Sequence, residues 1–166
     1  TPKKLGIISV AHGEGFVKIF DDLGCQGVVR CEKTMNPSTR ELLDAANNAG
    51  AEHVIILPNN SNVIAAAKQA AAMAPKQISY VPTKTMPEGI AAFLSYNPDQ
   101  KPEDVIGMMN EAIEQIATLD IATAVRNTTI SGVKIQKGQY IALSGQTLQS
   151  SGWTLSEVLL NGIFKL

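Results

Sequence analysis

The sequence predicts an α/β fold, with a parallel four-stranded βαβ unit covered by helices over residues 1–86 and a smaller α+β unit over residues 87–166. Three observations predict it. Short runs rich in Ile and Val recur four times in the first half. Each is followed by a polar or Gly/Pro loop, and a stretch of helical spacing separates it from the next. After Pro82 the pattern changes to an amphipathic helix and short strands punctuated by glycine.

Taken in order, the strand-like runs are residues 5–11, 27–30, 53–57 and 77–81. Between them Phe16, Ile19, Phe20 and Leu23 recur at helical intervals, as do Leu42, Leu43 and Ala46, and then Val63, Ile64, Ala67, Ala70 and Ala71. These are three crossover helices. Ser38 with Glu41 spells a capping box at the start of the second, and Asn60 or Ser61 can accept the orphan amides of the third. Continuous apolar strands joined by helices imply a parallel sheet covered on both faces. In the second half, 87–95 reads as a short helix, 97–99 as a turn and 103–117 as a strong amphipathic helix. Strand-like runs follow at 121–126 and 139–143, with a hairpin through Ser131-Gly132 and Lys137-Gly138, and a helix over 155–164.

Composition narrows the function classes. The 166 residues are 45% hydrophobic and 17% charged, enough to bury a core, and the net charge of −1 supplies no bulk attraction to nucleic acid or an anionic membrane. No apolar run approaches the roughly 20 residues of a bilayer span, and Thr-Pro-Lys-Lys lacks a secretory h-region. The expected location is cytoplasmic, and the start at Thr1 running into a strand reads as a piece of a longer polypeptide. Cys25 and Cys31 are too few for a disulfide framework and lack zinc-site spacing. Cys25 reads as a small buried hydrophobe, Cys31 as a loop thiol.

Four polar segments each follow a strand: residues 11–15, 34–39, 58–62 and 82–87. In a parallel sheet they emerge at one carboxyl edge, where open α/β sheets place ligands. The candidates there are Glu14, Thr34, Asn36, Ser38, Asn59, Asn60, Asn62, Thr83, Thr85 and Lys84, a hydrogen-bonding set suited to a polar ligand. The same residue types also build turns and caps. Gly13 and Gly15 lack the dinucleotide spacing, and there is no phosphate loop or nucleophile elbow. His12 lies in a loop, His53 opens a strand, and Glu14 with Glu32 is the one carboxylate pair to weigh for acid–base chemistry. No catalytic or metal residues are assigned.

The acidic stretch is more informative. Residues 88–120 hold seven acids, Glu88, Asp99, Glu103, Asp104, Glu111, Glu114 and Asp120, against one base, Lys101. At about 100° per residue, Glu103, Asp104, Glu111 and Glu114 share one helix face, opposite Val105, Ile106, Met109, Ala112, Ile113 and Ile116. No lysine stands four residues on to neutralise them. The face is a solvated surface or a docking surface for a basic partner.

Five segments resemble the C-terminal region of the large subunit of bacterial fatty acid kinase, related to the dihydroxyacetone-kinase-like proteins. They are residues 10–16 (VAHGEGF), 34–39 (TMNPST), 56–63 (ILPNNSNV), 81–92 (VPTKTMPEGIAA) and 124–132 (AVRNTTISG). Where the family commonly has Gly-Gly-Gln before TMNPST, this chain has Cys31-Glu32-Lys33. The resemblance implies a fold like that of the DegV-type fatty-acid-carrying protein. It further implies a non-catalytic region that docks that carrier through acids, with Glu88, Glu103, Asp104, Glu111 and Glu114 as candidates. ATP and magnesium would belong to a kinase domain elsewhere in the same polypeptide, and the parent would be a homodimer. The alternative function is a small-ligand or enzymatic site at the loop edge.

Overall fold

The four Ile- and Val-rich runs form one parallel sheet in the computed structural model, which describes residues 3–31, 36–74 and 77–166. Its strands are β1 (Lys3–Ala11), β2 (Gly27–Arg30), β3 (Ala51–Leu57) and β4 (Gln77–Tyr80), in the order β2-β1-β3-β4. Burial dictates that order. Leu5, Ile7, Ile8 and Val10 of β1 and Val54, Ile55, Ile56 and Leu57 of β3 are 0–1% exposed. Each such side chain contributes about 1.5–3 kcal/mol when taken from water, so these two strands lie in the middle. The shorter, largely half-buried β2 and β4 form the edges.

Alternation along the strands divides the core into two faces. Ile8, Val10, Val54 and Ile56 pack against Leu42 and Ala46 of α2 (Thr39–Asn48) and Ala67 and Ala70 of α3 (Ile64–Met73). Leu5, Ile7, Ile55 and Leu57 face Ala92 and Phe93 of α4 (Met86–Leu94) and Val105 and Met109 of α5 (Pro102–Glu114). On that second side α1 (Glu14–Leu23) adds Val17 and Phe20, packed with Ala11 and Met86. The α/β architecture expected from the sequence is therefore present, with helices on both faces.

The chain divides into two compact units, Thr1–Ile116 and Ala117–Leu166. The division falls thirty residues beyond the expected one after residue 86. Composition changes at Pro82, but Phe93, Val105 and Met109 complete the core of the parallel sheet, so α4 and α5 belong with the first unit. Helix α5 also stops at Glu114 rather than 117.

The second unit holds a three-stranded antiparallel sheet, β5-β8-β9, and a separate hairpin, β6-β7. Its elements are β5 (Asp120–Thr123), β6 (Thr128–Ile130), β7 (Val133–Ile135), β8 (Tyr140–Ser144), β9 (Thr147–Gly152) and α6 (Leu155–Ile163). The hairpin turns at Ser131-Gly132, where φ is positive at both residues, 50° and 79°. A second turn brings Gly138 to φ 92°. Strand β9 is not expected from the sequence, because Thr-Leu-Gln-Ser-Ser-Gly carries no apolar alternation. It forms because the Gly145 turn folds it back on the apolar β8, with a bulge between Ala142 and Leu143. A small core of Ala124, Ile135 and Ile141, with Ile130, Leu143 and Leu148 partly covered, holds the unit.

Candidate functional site

The polar loops do gather at the carboxyl edge of the parallel sheet, and at its centre they are occupied with one another. The residue after Pro58 takes a left-handed backbone, Asn59 at φ 55°, a conformation asparagine tolerates better than most residues. That turn drives its side chain inward, where it is 2% exposed. Asn59 Nδ2 donates to Ser9 Oγ at 2.8 Å and to the Val10 carbonyl at 2.9 Å. Asn59 Oδ1 accepts from Thr83 Oγ1 at 2.8 Å, and the Asn59 amide donates back to Thr83 Oγ1 at 2.9 Å. Ser9 and Thr83 are both fully buried.

Gly89 of α4 lies directly over this amide group. A Cβ there would overlap Asn59 Oδ1, so the helix approaches the turn only because residue 89 has no side chain. The strand order reverses between β1 and β3, and in open α/β sheets the ligand crevice lies at such a reversal. Here Asn59 fills it. Among the described residues no buried side-chain nitrogen or oxygen lacks a partner, so the plug leaves no aimed but idle group.

The other loop residues are placed as caps or in solvent. Ser38 Oγ accepts from the Glu41 amide at 3.2 Å while Glu41 Oε2 accepts from the Ser38 amide at 2.7 Å, completing the expected capping box. These bonds hold the Glu41 carboxyl below its ordinary range, the backbone bond first. Asn60 does not cap α3. Its Oδ1 accepts from the Asn62 amide at 2.8 Å, and the helix starts after Val63 with no side-chain cap. Thr85 caps α4 by accepting from the Glu88 amide, and Glu88 accepts from the Lys84 amide at 2.6 Å. Asn36, Asn62 and the Lys84 side chain are exposed. Thr34 and Glu32 lie outside the described residues.

Glu14 opens α1 and sits 3.9 Å from Arg30, which also meets Asp21 at 3.8 Å. These exposed pairs contribute little. His12 is exposed beside Phe16, with ring centroids 6.1 Å apart. His53 bridges β3 to β4 through Gln77 Oε1 (3.1 Å) and Ser79 Oγ (3.0 Å), a structural placement. Burial, with Asp21 nearby, pushes the Cys25 thiol up to about 12. Burial also raises Cys31, with Glu41 adding to it. Neither is a poised nucleophile. No group of three or more His, Cys, Asp or Glu among the described residues is arranged to hold a metal ion.

A groove of about 620 Å³ opens at the opposite, amino edge of the same unit, between Lys3, Lys4, Gln26, Phe93, Tyr96 and Asp99. Gln26 Oε1 accepts from the Ile7 amide and Tyr96 donates to the Leu5 carbonyl, both at the groove wall. No sequence motif marks it.

Helix α5 presents the other candidate surface. Val105 and Met109 are buried, while Glu103, Asp104, Glu111 and Glu114 all face solvent. Among the described residues none of the four forms an ion pair. Glu88, by contrast, is half-buried at the start of α4 and already engaged with the Lys84 amide. Ser9 and Gly89 are the residues that sequence reasoning missed. Ser9 is hidden in an apolar strand, whereas a glycine inside a helix is a signal of close approach.

Comparison with known proteins gives this arrangement its relatives. Residues 6–166 match the FakA-like C-terminal family of fatty acid kinases. Protein YloV of Bacillus subtilis is 41% identical over 143 residues, covering 86% of this chain and 26% of the relative. An uncharacterized protein of Staphylococcus epidermidis is 33% identical over 138 residues, 83% of this chain and 25% of that protein. The chain thus spans about a quarter of the length of these relatives. Among solved structures, a phosphotransferase system component EIIA from Streptococcus agalactiae aligns with a TM-score of 0.47 and 13% identity, over 67% of this chain and 93% of that one.

Proposed function

The chain belongs to the FakA-like family of fatty acid kinase C-terminal regions, and from that membership we propose that it is the non-catalytic docking region of a fatty acid kinase. In this reading it binds the fatty-acid-carrying protein so that a kinase domain elsewhere in the polypeptide, supplied with ATP and magnesium, phosphorylates the acyl carboxylate. The parent is a cytoplasmic homodimer.

One observation carries the reading: the solvent face of α5 bears four carboxylates that form no ion pair among the described residues. Such a face repels itself and attracts a basic surface, which speeds encounter and fixes orientation. The loop edge is the weaker contender, because Asn59 and Thr83 satisfy each other there. Glu88 contributes to docking through the carboxylate oxygen left over from its cap.

Calorimetry with a palmitate- or oleate-loaded DegV-type carrier tests the reading. Binding is expected to weaken as salt is raised from low to physiological strength, since the surface charges are screened beyond roughly 8–10 Å. The double variant Glu111→Lys, Glu114→Lys is expected to lose at least about tenfold in affinity with no change in melting. Unchanged affinity in that variant removes α5 from the interface. Binding abolished by Asn36→Ala, with the α5 variant silent, shifts the function to the loop edge.

A further inference from the structure

Among the described residues, three glycines stand at the fourth position of a helix or later: Gly89 in α4, Gly107 in α5 and Gly162 in α6. Glycine is the poorest helix former after proline, because fixing it costs the most backbone freedom, so each position needs a reason. Two have one inside the fold. A Cβ at Gly89 would overlap Asn59 Oδ1, and one at Gly162 would clash with Leu119 and Ala142. At exposed Gly107 a Cβ would meet nothing within 4 Å beyond its own helix backbone.

The position of that gap is specific. At about 100° per residue, with Glu103 at zero, Glu114, Gly107, Glu111 and Asp104 follow at about 20°, 40°, 80° and 100°, while the buried Val105 and Met109 lie at about 200° and 240°. Gly107 is therefore the point of α5 farthest from the core, and it falls within the arc of the four carboxylates. Glu103 and Asp104 stand one turn before it and Glu111 one turn after, as its surface neighbours. Asn110, the remaining neighbour, turns its amide back on the Ile106 carbonyl at 2.8 Å and leaves the gap open.

A notch of bare backbone between carboxylates fits a long basic side chain. Lysine and arginine lay an aliphatic stem along a surface while the charge reaches polar groups beyond it. Across Gly107 the stem takes the room a Cβ would fill, and the charge comes within reach of acids on either side, where charge-assisted bonds form. We propose that Gly107 seats one lysine or arginine of the fatty-acid-carrying partner, and that it determines specificity on α5 by having no side chain. The inference rests on the α5 docking reading and adds to it the point of closest approach.

Calorimetry with the palmitate- or oleate-loaded DegV-type carrier tests it on Gly107→Ala and Gly107→Leu, neither of which alters charge. Gly107→Ala is expected to raise Tm by about 2–4 °C, since helix propensity improves and nothing is displaced. It is nonetheless expected to weaken binding about threefold, and Gly107→Leu about tenfold or more, by holding the two surfaces apart. Gly107→Leu binding like the parent, while the Glu111→Lys, Glu114→Lys variant loses affinity, overturns the notch and leaves the docking face standing. Silence of both variants overturns the docking reading and this inference with it. A lower Tm in Gly107→Ala also overturns the proposal, because the fold itself would then require the glycine.

Discussion

Replacing Asn59 by alanine removes the plug at the strand reversal, and its cost can be worked out bond by bond. Three side-chain hydrogen bonds disappear: two donated by Nδ2, to Ser9 Oγ and the Val10 carbonyl, and one accepted by Oδ1 from Thr83. At about 1 kcal/mol net for each, their loss costs about 3 kcal/mol. The partners left behind are buried, which keeps the figure from shrinking by hydration. Alanine must also hold φ 55°, which adds about 1 kcal/mol. A total near 4 kcal/mol is a large share of the 5–15 kcal/mol typical of a folded domain.

Urea denaturation of Asn59→Ala and Asn59→Gly alongside the unmodified chain measures this. Glycine loses the same bonds but not the backbone preference, so it should be about 1 kcal/mol milder than alanine. Asn59→Asp should be at least as harmful as alanine, because a carboxylate cannot donate to Ser9 or Val10. An alanine variant within about 1 kcal/mol of the parent would refute the reasoning. So would a glycine variant no better than alanine. The same numbers bear on function, since a loss of ligand binding in Asn59→Ala would first have to be separated from loss of the fold.

Gly89→Ala should destabilise by about 2 kcal/mol or more through overpacking against the Asn59 amide, measured in the same denaturation series. The Glu41 carboxyl, held down by its bonds to Ser38, should titrate below the ordinary glutamate range by NMR. Its folded-state pKa is depressed, so its capping contribution is present above the unfolded value and lost as pH falls through the folded one. With a thiol pKa of about 12, Cys25 has roughly one thiolate in ten thousand at pH 8. An alkylating reagent should therefore label it far more slowly than free cysteine and leave Cys31 as the first site modified; rapid labelling of the half-buried Cys25 would contradict its raised pKa.

The sequence makes the parallel sheet legible because its signal is redundant. Each of β1 and β3 carries four aliphatics that are 0–1% exposed, and Ser38 with Glu41 announces the start of α2 in its own spelling. The boundary between units is less legible, because the residues that decide it, Val105 and Met109, share a core with β3 and β1, roughly 50 to 100 positions earlier in the chain. Strand β9 is illegible for a different reason. Its pairing with β8 is set by a turn and a bulge rather than by its own side chains. At the candidate site, the set of loop residues can be read from their position after each strand, but not which of them face inward. Asn59 and Asn60 are neighbours of identical type, and a single left-handed backbone angle buries one and leaves the other in a local turn.

The link between Ser9, Asn59 and Thr83 also has a kinetic consequence. Its ends lie 50 and 24 positions from Asn59, so it closes only after three strands have found their register. Interactions of that span are commonly absent from the folding transition state. Losing them should leave the folding rate nearly untouched and accelerate unfolding. The buried asparagine would then act as a catch on the way out, setting how long the sheet stays shut rather than how soon it forms.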